Sequence, residues 1–355
     1  RRFWNSSGNL SGGYYRCYNS QADSTMINLN ICPSTLKEGF STYCPAAVKS
    51  LFDGNKVSHI FPGASPEDGG SADSIRNIGR ISLSGAQPKF SVIIGENKQL
   101  RYTREGEQGT YILKPRPTGY QIANKDYCAA NEHVTMQIAS QVYGIETAGN
   151  ALCFFEDDKP AYITRRFDVY PGGKYKQEDF AALLGWSKDN GGANYKYDKV
   201  SYEECAEVIH RYVKAALIDI RRFYRIILFN FVSLNDDAHL KNFSLIERNG
   251  EYHLSPAYDL VNTSLQLYEP RIFALDKGLF KEGMNKADTH NIGHDDFVEF
   301  GRRIGLPEKV VHQEIMMFQK VNPMAVELVK KSFLSEELKK QYITAYTYRC
   351  KMLNF

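Results

Sequence analysis

The sequence predicts an α+β protein with two lobes, a β-rich lobe followed by a mainly helical one. Between residues 81 and 168, short runs of β-branched and aromatic residues alternate with turn formers, whereas after residue 169 apolar residues recur mostly at helical spacing. The 355 residues, 43% of them hydrophobic, are enough for a core in each lobe. We therefore expect an N-terminal extension and linker at 1–80, the β-rich lobe at 81–168 and the helical lobe at 169–355.

Short strands and one helix are predicted for the β-rich lobe. Gly95-Glu96-Asn97-Lys98 supplies a turn, and Pro115 closes a strand because proline has no N–H to donate. A helix is predicted at 127–143, where apolar residues recur every four positions before Gly144. The predicted strands cover 89–94, 100–103, 109–115, 150–155 and 161–167.

The helical lobe is predicted to begin with one long helix at 203–232, whose apolar stripe widens to all sides near its end. Asn249-Gly250 then predicts a hairpin between 243–246 and 252–254, because both residues tolerate positive φ. Further helices are predicted at 295–304, 308–321, 322–333 and 335–352. A cleft between two such lobes is a natural ligand site.

Composition excludes several classes of protein. The net charge of +3 is too small to predict nucleic-acid binding by itself. Seven scattered cysteines favour a reducing compartment, and Cys32 and Cys44 lack the second pair that a zinc site needs. Apolar runs all fall short of the ~18 residues of a membrane span. We expect a cytoplasmic protein with no membrane partner.

The densest polar cluster, NDDAHLKN at 235–242, follows the apolar end of the long helix. Asp237 and Asn242 are five positions apart there, which is the spacing of the proton-accepting carboxylate and the metal-binding amide in protein kinases. Asp259 comes 17 residues after Asn242, where a second carboxylate is needed, one that binds the metal. Lys114 on a strand and Glu132 on the next helix fit a lysine that contacts phosphates and its ion-pair partner. Together these residues predict phosphoryl transfer from ATP with Mg²⁺.

Several segments resemble HipA-type toxin kinases. NDDAHLKNFSL resembles the family signature N-x-D-x-H-x-K-N-F, SPAYDLV resembles its P-x-Y-D segment, and ISLSGAQPKF resembles its S-x-x-G-A-Q-x-K segment. YILKP, NEHVTMQIA and YITRRFDV occur between them in the family's order. The resemblance covers roughly residues 81–300.

The resemblance implies a serine/threonine protein kinase with a two-lobed, protein-kinase-like fold. It assigns Asp237 as the catalytic base and Asn242 and Asp259 as Mg²⁺ ligands. The remaining implied roles are ATP phosphate contacts for Lys114, His239 and Lys241, an adenine-binding hinge at Arg165 and Phe167, a place near the ribose for Gln177, and autophosphorylation at Ser82 and Ser84. Arg165 stands where relatives often carry glutamate.

The resemblance also implies partners. Such kinases are toxins that pair with a helix-turn-helix antitoxin, through which they contact DNA indirectly, and they phosphorylate proteins of translation such as aminoacyl-tRNA synthetases. The segment ICPSTLKEGFSTYCPAAVKSLFDG resembles members whose N-terminal subdomain is a separate small protein. We therefore expect the split form of the family.

Two other classes of function remain open from the sequence. A small-molecule phosphotransferase of the aminoglycoside or choline kinase type uses a similar catalytic loop but lacks the serine-bearing segment at 82–87. A pseudokinase that only binds partners would have lost a catalytic residue, whereas Lys114, Asp237, Asn242 and Asp259 are all present.

Overall fold

The computed structural model describes residues 29–66, 87–117, 122–267, 271–285 and 291–354. Its N-terminal half is built on a six-stranded sheet with the order β1-β5-β6-β4-β2-β3. The strands are β1 Ile60–Phe61, β2 Phe90–Ile94, β3 Leu100–Tyr102, β4 Tyr111–Lys114, β5 Asn150–Phe155 and β6 Pro160–Arg165. All neighbours are antiparallel except β1 and β5, which run parallel.

The segment at 29–66 is part of this lobe's core. Its short helix α1 (Pro45–Leu51) starts with proline, which suits the first helical turn. Phe52 and Phe61 are 0% and 1% exposed and pack with Val92 and Leu113 of the sheet. These residues fall within the segment expected to be an extension. The domain bounds at 80 and 168 stay a prediction.

Helix α2 (Cys128–Gln141) lies between the sheet and the helical lobe. Nearly all of its residues are buried, because it packs on β5 and β6 on one side and on a C-terminal helix on another. A helix enclosed on several sides is expected to be apolar or internally paired all round rather than amphipathic. It therefore holds Glu132 in the interior of the protein, 5% exposed.

A second, three-stranded sheet begins the helical lobe. Its strands are β9 Gln177–Asp179, β10 Ser244–Arg248 and β11 Glu251–Leu254, with β10 in the centre. Asn249 and Gly250 connect β10 to β11 with φ of 54° and 79°, so the predicted hairpin is present. A small hairpin of β7 (Val169–Tyr170) and β8 (Gly173–Lys174) precedes β9.

The predicted long helix at 203–232 is two helices, α5 (Tyr202–Tyr212) and α6 (Ala216–Val232), so that expectation was wrong. Val213 between them is extended, with φ −99° and ψ 123°. The two helices pack against each other, which one continuous helix could not do. The helices of this lobe not yet named, short ones included, are α3 Phe180–Leu183, α4 Lys188–Gly191, α7 His294–Arg303, α8 Glu308–Phe318, α9 Pro323–Lys331 and α10 Glu336–Met352.

Helix α6 leads into the polar cluster, and its packing anchors it firmly. Residues 226–232 at its end are all buried. Glu314 of α8, 0% exposed, accepts 2.6 Å hydrogen bonds from Nε of both Arg221 and Arg225. Rigid packing of this kind fixes the loop that follows. None of the helices within the described ranges is long and apolar enough to span a bilayer.

Candidate active site

An open cleft of about 950 Å³ lies between the β-rich and helical lobes. Strands β4 and β6 contribute one wall, and Gln177, Tyr258 and Asp259 contribute the other. The residues that line it are Lys89, Ile112, Lys114, Ala148, Thr164, Arg165, Arg166, Phe167, Asp168, Lys174, Gln177, Tyr258 and Asp259. Five residues predicted for the site therefore meet here: Lys114, Arg165, Phe167, Gln177 and Asp259.

Lys114 joins the two lobes through a buried set of charges. Its Nζ donates to Oε1 of Glu132 at 2.6 Å and also contacts Oδ1 of Asp259. Lys114 is 3% exposed and Glu132 is 5% exposed. Burial alone would lower the pKa of the Lys114 ammonium, but the carboxylates of Asp259 and Glu132 outweigh this effect and raise it. The group is therefore a permanent cation at the back of the cleft.

Asp259 follows the strand pair β10–β11 and has a left-handed backbone conformation, with φ of 56°. Nζ of Lys89 donates to its Oδ2 at 3.3 Å. Burial alone would raise the pKa of Asp259, but Lys114 and Lys89 hold it well below its usual range. This carboxylate is ionised at neutral pH and faces the cleft.

Asp237 lies on the loop after α6, which the chain enters through Leu234 at φ 57°. It is 7% exposed, and its Oδ1 accepts a 2.7 Å hydrogen bond from the hydroxyl of Tyr197. Burial raises its pKa to about 6, although the Tyr197 hydrogen bond and the charge of Lys196 act in the opposite direction. A carboxylate with this pKa can accept and release a proton near neutral pH.

His239 is held neutral within the same loop. It is 1% exposed. Burial, and to a smaller extent the nearby charge of Lys196, lowers its pKa to about 3. Nζ of Lys196 is 2.8 Å from Nε2 of His239. Because an ammonium can only donate, Nε2 accepts and the ring proton resides on Nδ1. The predicted contact of His239 with phosphates stays a prediction.

Asn242 and Lys241 lie in the 3-10 turn Leu240–Asn242. Nδ2 of Asn242 donates to the backbone carbonyl of Asp237 at 2.9 Å, which closes the loop around the carboxylate. Nζ of Lys241 contacts Oδ2 of Asp179 at 2.8 Å. The backbone carbonyl of Lys241 accepts a 2.8 Å hydrogen bond from the hydroxyl of Tyr258. Tyr258 therefore connects the cleft to the loop.

The other three cleft residues predicted from the sequence differ in their contacts. Arg165 points part of its guanidinium to Asp53, with Nη1 2.6 Å from Oδ1. The ring of Phe167 lies 5.6 Å from that of Tyr258, centroid to centroid. Nε2 of Gln177 donates to Oγ of Ser244 at 2.9 Å.

The charges of the cleft and the loop act on each other. The charge of Asp259 helps to raise the pKa of Asp237, and Lys89 and Asp259 both influence His239. Such coupling requires the groups to lie within a short distance in a medium of low polarity. Asn242 bonds the backbone of Asp237, and Asp237 is coupled to Asp259, so the three residues predicted to be catalytic or metal-binding lie in one region. Ser82 and Ser84 lie outside the described residues.

No group of three or more His, Cys, Asp or Glu residues in the described ranges is arranged to hold a metal ion. Mg²⁺ in kinases does not need such a group, because one or two protein oxygens and the substrate phosphates supply its ligands. The amide of Asn242 and the ionised carboxylate of Asp259 are oxygen donors of the preferred kind. The residues present therefore fit a nucleotide-dependent magnesium site.

Three residues of the site escaped the sequence analysis. Lys89 is the lysine of the S-x-x-G-A-Q-x-K segment in ISLSGAQPKF, so the family motif could have identified it. Lys196 and Tyr197 lie in the polar run GGANYKYDK, which has no periodicity and suggests only a surface loop. Their contacts with His239 and Asp237 depend on tertiary structure alone.

Comparison with known proteins finds a matching family model and curated relatives. A model of the HipA-like C-terminal domain matches residues 81–325. A Haemophilus influenzae protein described as "Putative kinase" is 33% identical over 254 residues, a match that covers 66% of this chain and 71% of the relative. "Putative kinase Y4dM" of Sinorhizobium fredii is 32% identical over 203 residues, covering 53% of this chain and 46% of that protein.

A solved structure shows the same fold. HipA of Shewanella oneidensis, determined in complex with HipB and its operator DNA, superposes with a TM-score of 0.62 at 20% identity. The match covers 78% of this chain and 65% of the HipA chain, so this chain spans less than two thirds of that protein and less than half of the Sinorhizobium relative. The predicted two-lobed α+β fold is confirmed.

The fold and the relatives define a kinase, a two-lobed phosphotransferase. The chain belongs to the HipA-like C-terminal domain family, because the family model spans more than half of its length. The family resemblance predicted from the sequence motifs is therefore confirmed.

Proposed function

We propose that the protein is an ATP- and Mg²⁺-dependent serine/threonine protein kinase. The observation that carries this proposal is the convergence of two carboxylates with opposite pKa shifts, the buried Asp237 and the half-buried Asp259, beside the cleft that contains Lys114. Kinases need one carboxylate that handles a proton and another that stays ionised beside the phosphates. ATP is then the substrate that occupies the cleft.

The nucleotide would lie with its base toward Phe167 and Arg165 and its ribose toward Gln177. Phe167 offers an aromatic face beside Tyr258, and residues 165–167 line the cleft where the family's hinge would meet the adenine edge. Lys114, Lys241 and His239 would then face the phosphates. Lys89 also contacts Asp259, so we add it to the phosphate-binding set.

Asn242 and Asp259 would hold Mg²⁺. The lowered pKa of Asp259 supports this role, because a metal ligand must be ionised. The ion, when bound, neutralises charge on the phosphates. The hydrogen bond from Nδ2 of Asn242 to the loop carbonyl orients that amide and leaves the carbonyl end as its ligand atom.

Asp237 would act as the base. Tyr197 holds Oδ1, and Oδ2 would accept the proton of the attacking serine or threonine hydroxyl. The pKa of about 6 keeps the carboxylate mostly ionised at pH 7 while leaving it basic enough to take a proton. The neutral His239 keeps a second positive charge out of the loop.

The family suggests the biological setting. We propose autophosphorylation at Ser82 or Ser84, which would add about −1.5 to −2 charges near the ATP phosphates and favour displacement of that segment. We also propose a cytoplasmic toxin with a helix-turn-helix antitoxin, in line with the HipB partner of the Shewanella protein. Protein substrates such as an aminoacyl-tRNA synthetase and a separate small N-terminal-subdomain protein complete this proposal.

The decisive experiment is incubation with labelled ATP and Mg²⁺, followed by mass spectrometry of the peptide at 81–90. We expect phosphate on Ser82 or Ser84, and none in the Asp237→Ala variant. Asp189→Ala, a substitution on the short surface helix α4, is the matched control and should label like the original chain. Full labelling of Asp237→Ala would contradict the assigned base.

The phosphate acceptor distinguishes a protein kinase from the alternative, a small-molecule phosphotransferase. ATP consumption that needs an added amino sugar or choline, without phosphate on any protein, would favour it. Tight ATP binding with no transfer to any acceptor would instead favour a pseudokinase.

A further inference from the structure

Two cysteines lie side by side away from the candidate active site. Cys32 and Cys44 are 0% and 2% exposed. The backbone N–H of Cys44 donates to Sγ of Cys32 at 3.2 Å. Because an N–Cα bond is about 1.46 Å, Cα of Cys44 lies within roughly 4.7 Å of that sulfur. The backbone of Cys44 is therefore packed directly against the sulfur of Cys32, and the two side chains also interact with each other. Such neighbouring residues are what a disulfide needs.

The loop from 32 to 44 brings the two thiols together. The N–H of Cys32 donates to the carbonyl of Lys37 at 2.8 Å, and the N–H of Leu36 donates to the carbonyl of Cys32 at 3.0 Å. Leu36 adopts a positive φ of 59° to close this turn. Cys44 follows at the start of α1, so its position is fixed by the helix.

Cys44 borders a second cleft, of about 820 Å³. The cleft lies between the 32–44 loop, α2 and α9, and Cys44 is one of its lining residues. Glu38 of the loop pairs with Lys331 of α9 at 3.5 Å beside it. A small disulfide bound in this cleft would lie next to Cys44, so a local shift of the 32–44 loop would be enough to bring it to the Cys44 sulfur.

The surroundings of Cys44 favour its thiolate. Oγ1 of Thr35 is 3.4 Å from Sγ of Cys44. Burial alone would raise the pKa of this thiol, but hydrogen bonds from Thr35, the Ala47 backbone and Cys32 outweigh it and lower the pKa. By contrast, burial raises the pKa of Cys128 to about 12. Thiolates are the reactive form of cysteine, so Cys44 differs from an inert core thiol.

We propose that Cys32 and Cys44 form a redox-active dithiol that is oxidised to a disulfide by small-molecule disulfides such as glutathione disulfide. The thiolate of Cys44 attacks one sulfur of glutathione disulfide, whose S–S bond breaks, and one glutathione leaves and takes up a proton. The thiolate of Cys32 then attacks Sγ of Cys44 and releases the second glutathione. The two cysteines lose two protons and two electrons, which reduce glutathione disulfide to two glutathione molecules.

The test uses the full chain with Cys17, which lies outside the described residues, replaced by serine. The reduced protein is incubated under native conditions with excess glutathione disulfide, alkylated and analysed by peptide mass spectrometry. We expect the Cys32 and Cys44 peptides to be linked, and the link to be removed by dithiothreitol. Oxidation should also raise Tm, because the bond restrains the unfolded chain.

Single variants separate the two steps. Cys32→Ser should stop at a stable mixed disulfide that adds the mass of one glutathione to Cys44, whereas Cys44→Ser should stay unmodified at Cys32. The original chain keeps the proposal testable even if a variant folds poorly. Complete alkylation of both cysteines after native incubation would overturn the proposal. So would stoichiometric zinc that both serine variants lose, because the pair would then be a metal site.

Discussion

Asp237 is buried and Asp259 is half-buried, and their surroundings shift their pKa values in opposite directions. Asp259 contacts two ammonium groups, Lys114 and Lys89, and its pKa lies well below its usual range. Asp237 faces the phenol of Tyr197, and burial raises its pKa to about 6. Environments that push two carboxylates apart in pKa mark different chemical roles. One end of the site is built to stay charged, and the other to exchange a proton.

The largest expected effect is on the reaction rate. Asp237→Asn should lower the single-turnover rate of phosphoryl transfer by a factor on the order of 10² to 10⁴, because general-base catalysis is lost. Its affinity for Mg²⁺·ATP should stay nearly constant. Asp259→Asn should show the converse loss of Mg²⁺·ATP affinity in a calorimetric titration. Equal loss of affinity in both variants would contradict the division of roles.

The buried charges around Lys114 predict the next effect. Lys114→Met leaves Glu132 buried without its cation, and removing one partner of such a pair costs about 3–5 kcal/mol. Urea unfolding at pH 7 measures this change. The double variant Lys114→Met with Glu132→Leu should recover much of the stability, since an apolar pair needs no counter-charge. ATP affinity should not recover, which separates folding from binding.

The two carboxylates also predict stability changes of opposite sign. The folded-state pKa of Asp237 is about 6 against about 3.9 in the unfolded chain, so its ionisation costs stability as pH rises through 6. Asp237→Asn should therefore stabilise the protein at pH 8, by at most about 3 kcal/mol. The pKa of Asp259 is lowered in the folded protein, so its ionised form stabilises the fold. This stabilisation is present above the unfolded-state pKa and is lost in acid. Asp259→Asn should destabilise at pH 8.

Urea unfolding of both variants at pH 8 and pH 5 tests these signs. The gain in Asp237→Asn should shrink at pH 5, where the original carboxyl is largely protonated. Asp189→Asn on the surface serves as the control and should change little. Destabilisation by Asp237→Asn at pH 8 would show that the native carboxylate is not strained by burial.

The smallest effect concerns Tyr197. Its hydroxyl stabilises the ionised form of Asp237, so Tyr197→Phe should raise the pKa of this carboxyl further. The acid limb of the pH–rate profile should then move from about pH 6 upward by roughly one unit. Tyr212→Phe, at a phenol 40% exposed, is the control. A lower plateau rate with an unmoved limb would mean that Tyr197 serves only the fold.

The sequence predicted strands β2 to β6, the hairpin and the family, because these depend on local patterns, but it did not predict strand β1. Asp237 and Asn242 are close together in the sequence, so a motif can reveal their spacing without knowledge of the fold. The break at Val213 could not be predicted, since the apolar period continues through it and only the packing of α5 on α6 requires a turn.

The contacts around the catalytic loop could not be predicted from the sequence for a related reason. Tyr197 reaches Asp237 across 40 positions, and Lys114 reaches Asp259 across 145. Strand β9 consists of Gln177–Asp179, three polar residues without alternation that pair only because β10 lies beside them. Long-range pairing of this kind leaves little trace in composition or period.

The sheet of the β-rich lobe ends on both sides in very short strands, two residues in β1 and three in β3. Short terminal strands expose few unpaired backbone groups and discourage pairing with another chain. A protein that binds this lobe would gain little from main-chain hydrogen bonds along either margin. Its recognition would depend on side-chain chemistry, so substitutions on the lobe's surface could change the choice of partner without disturbing the sheet.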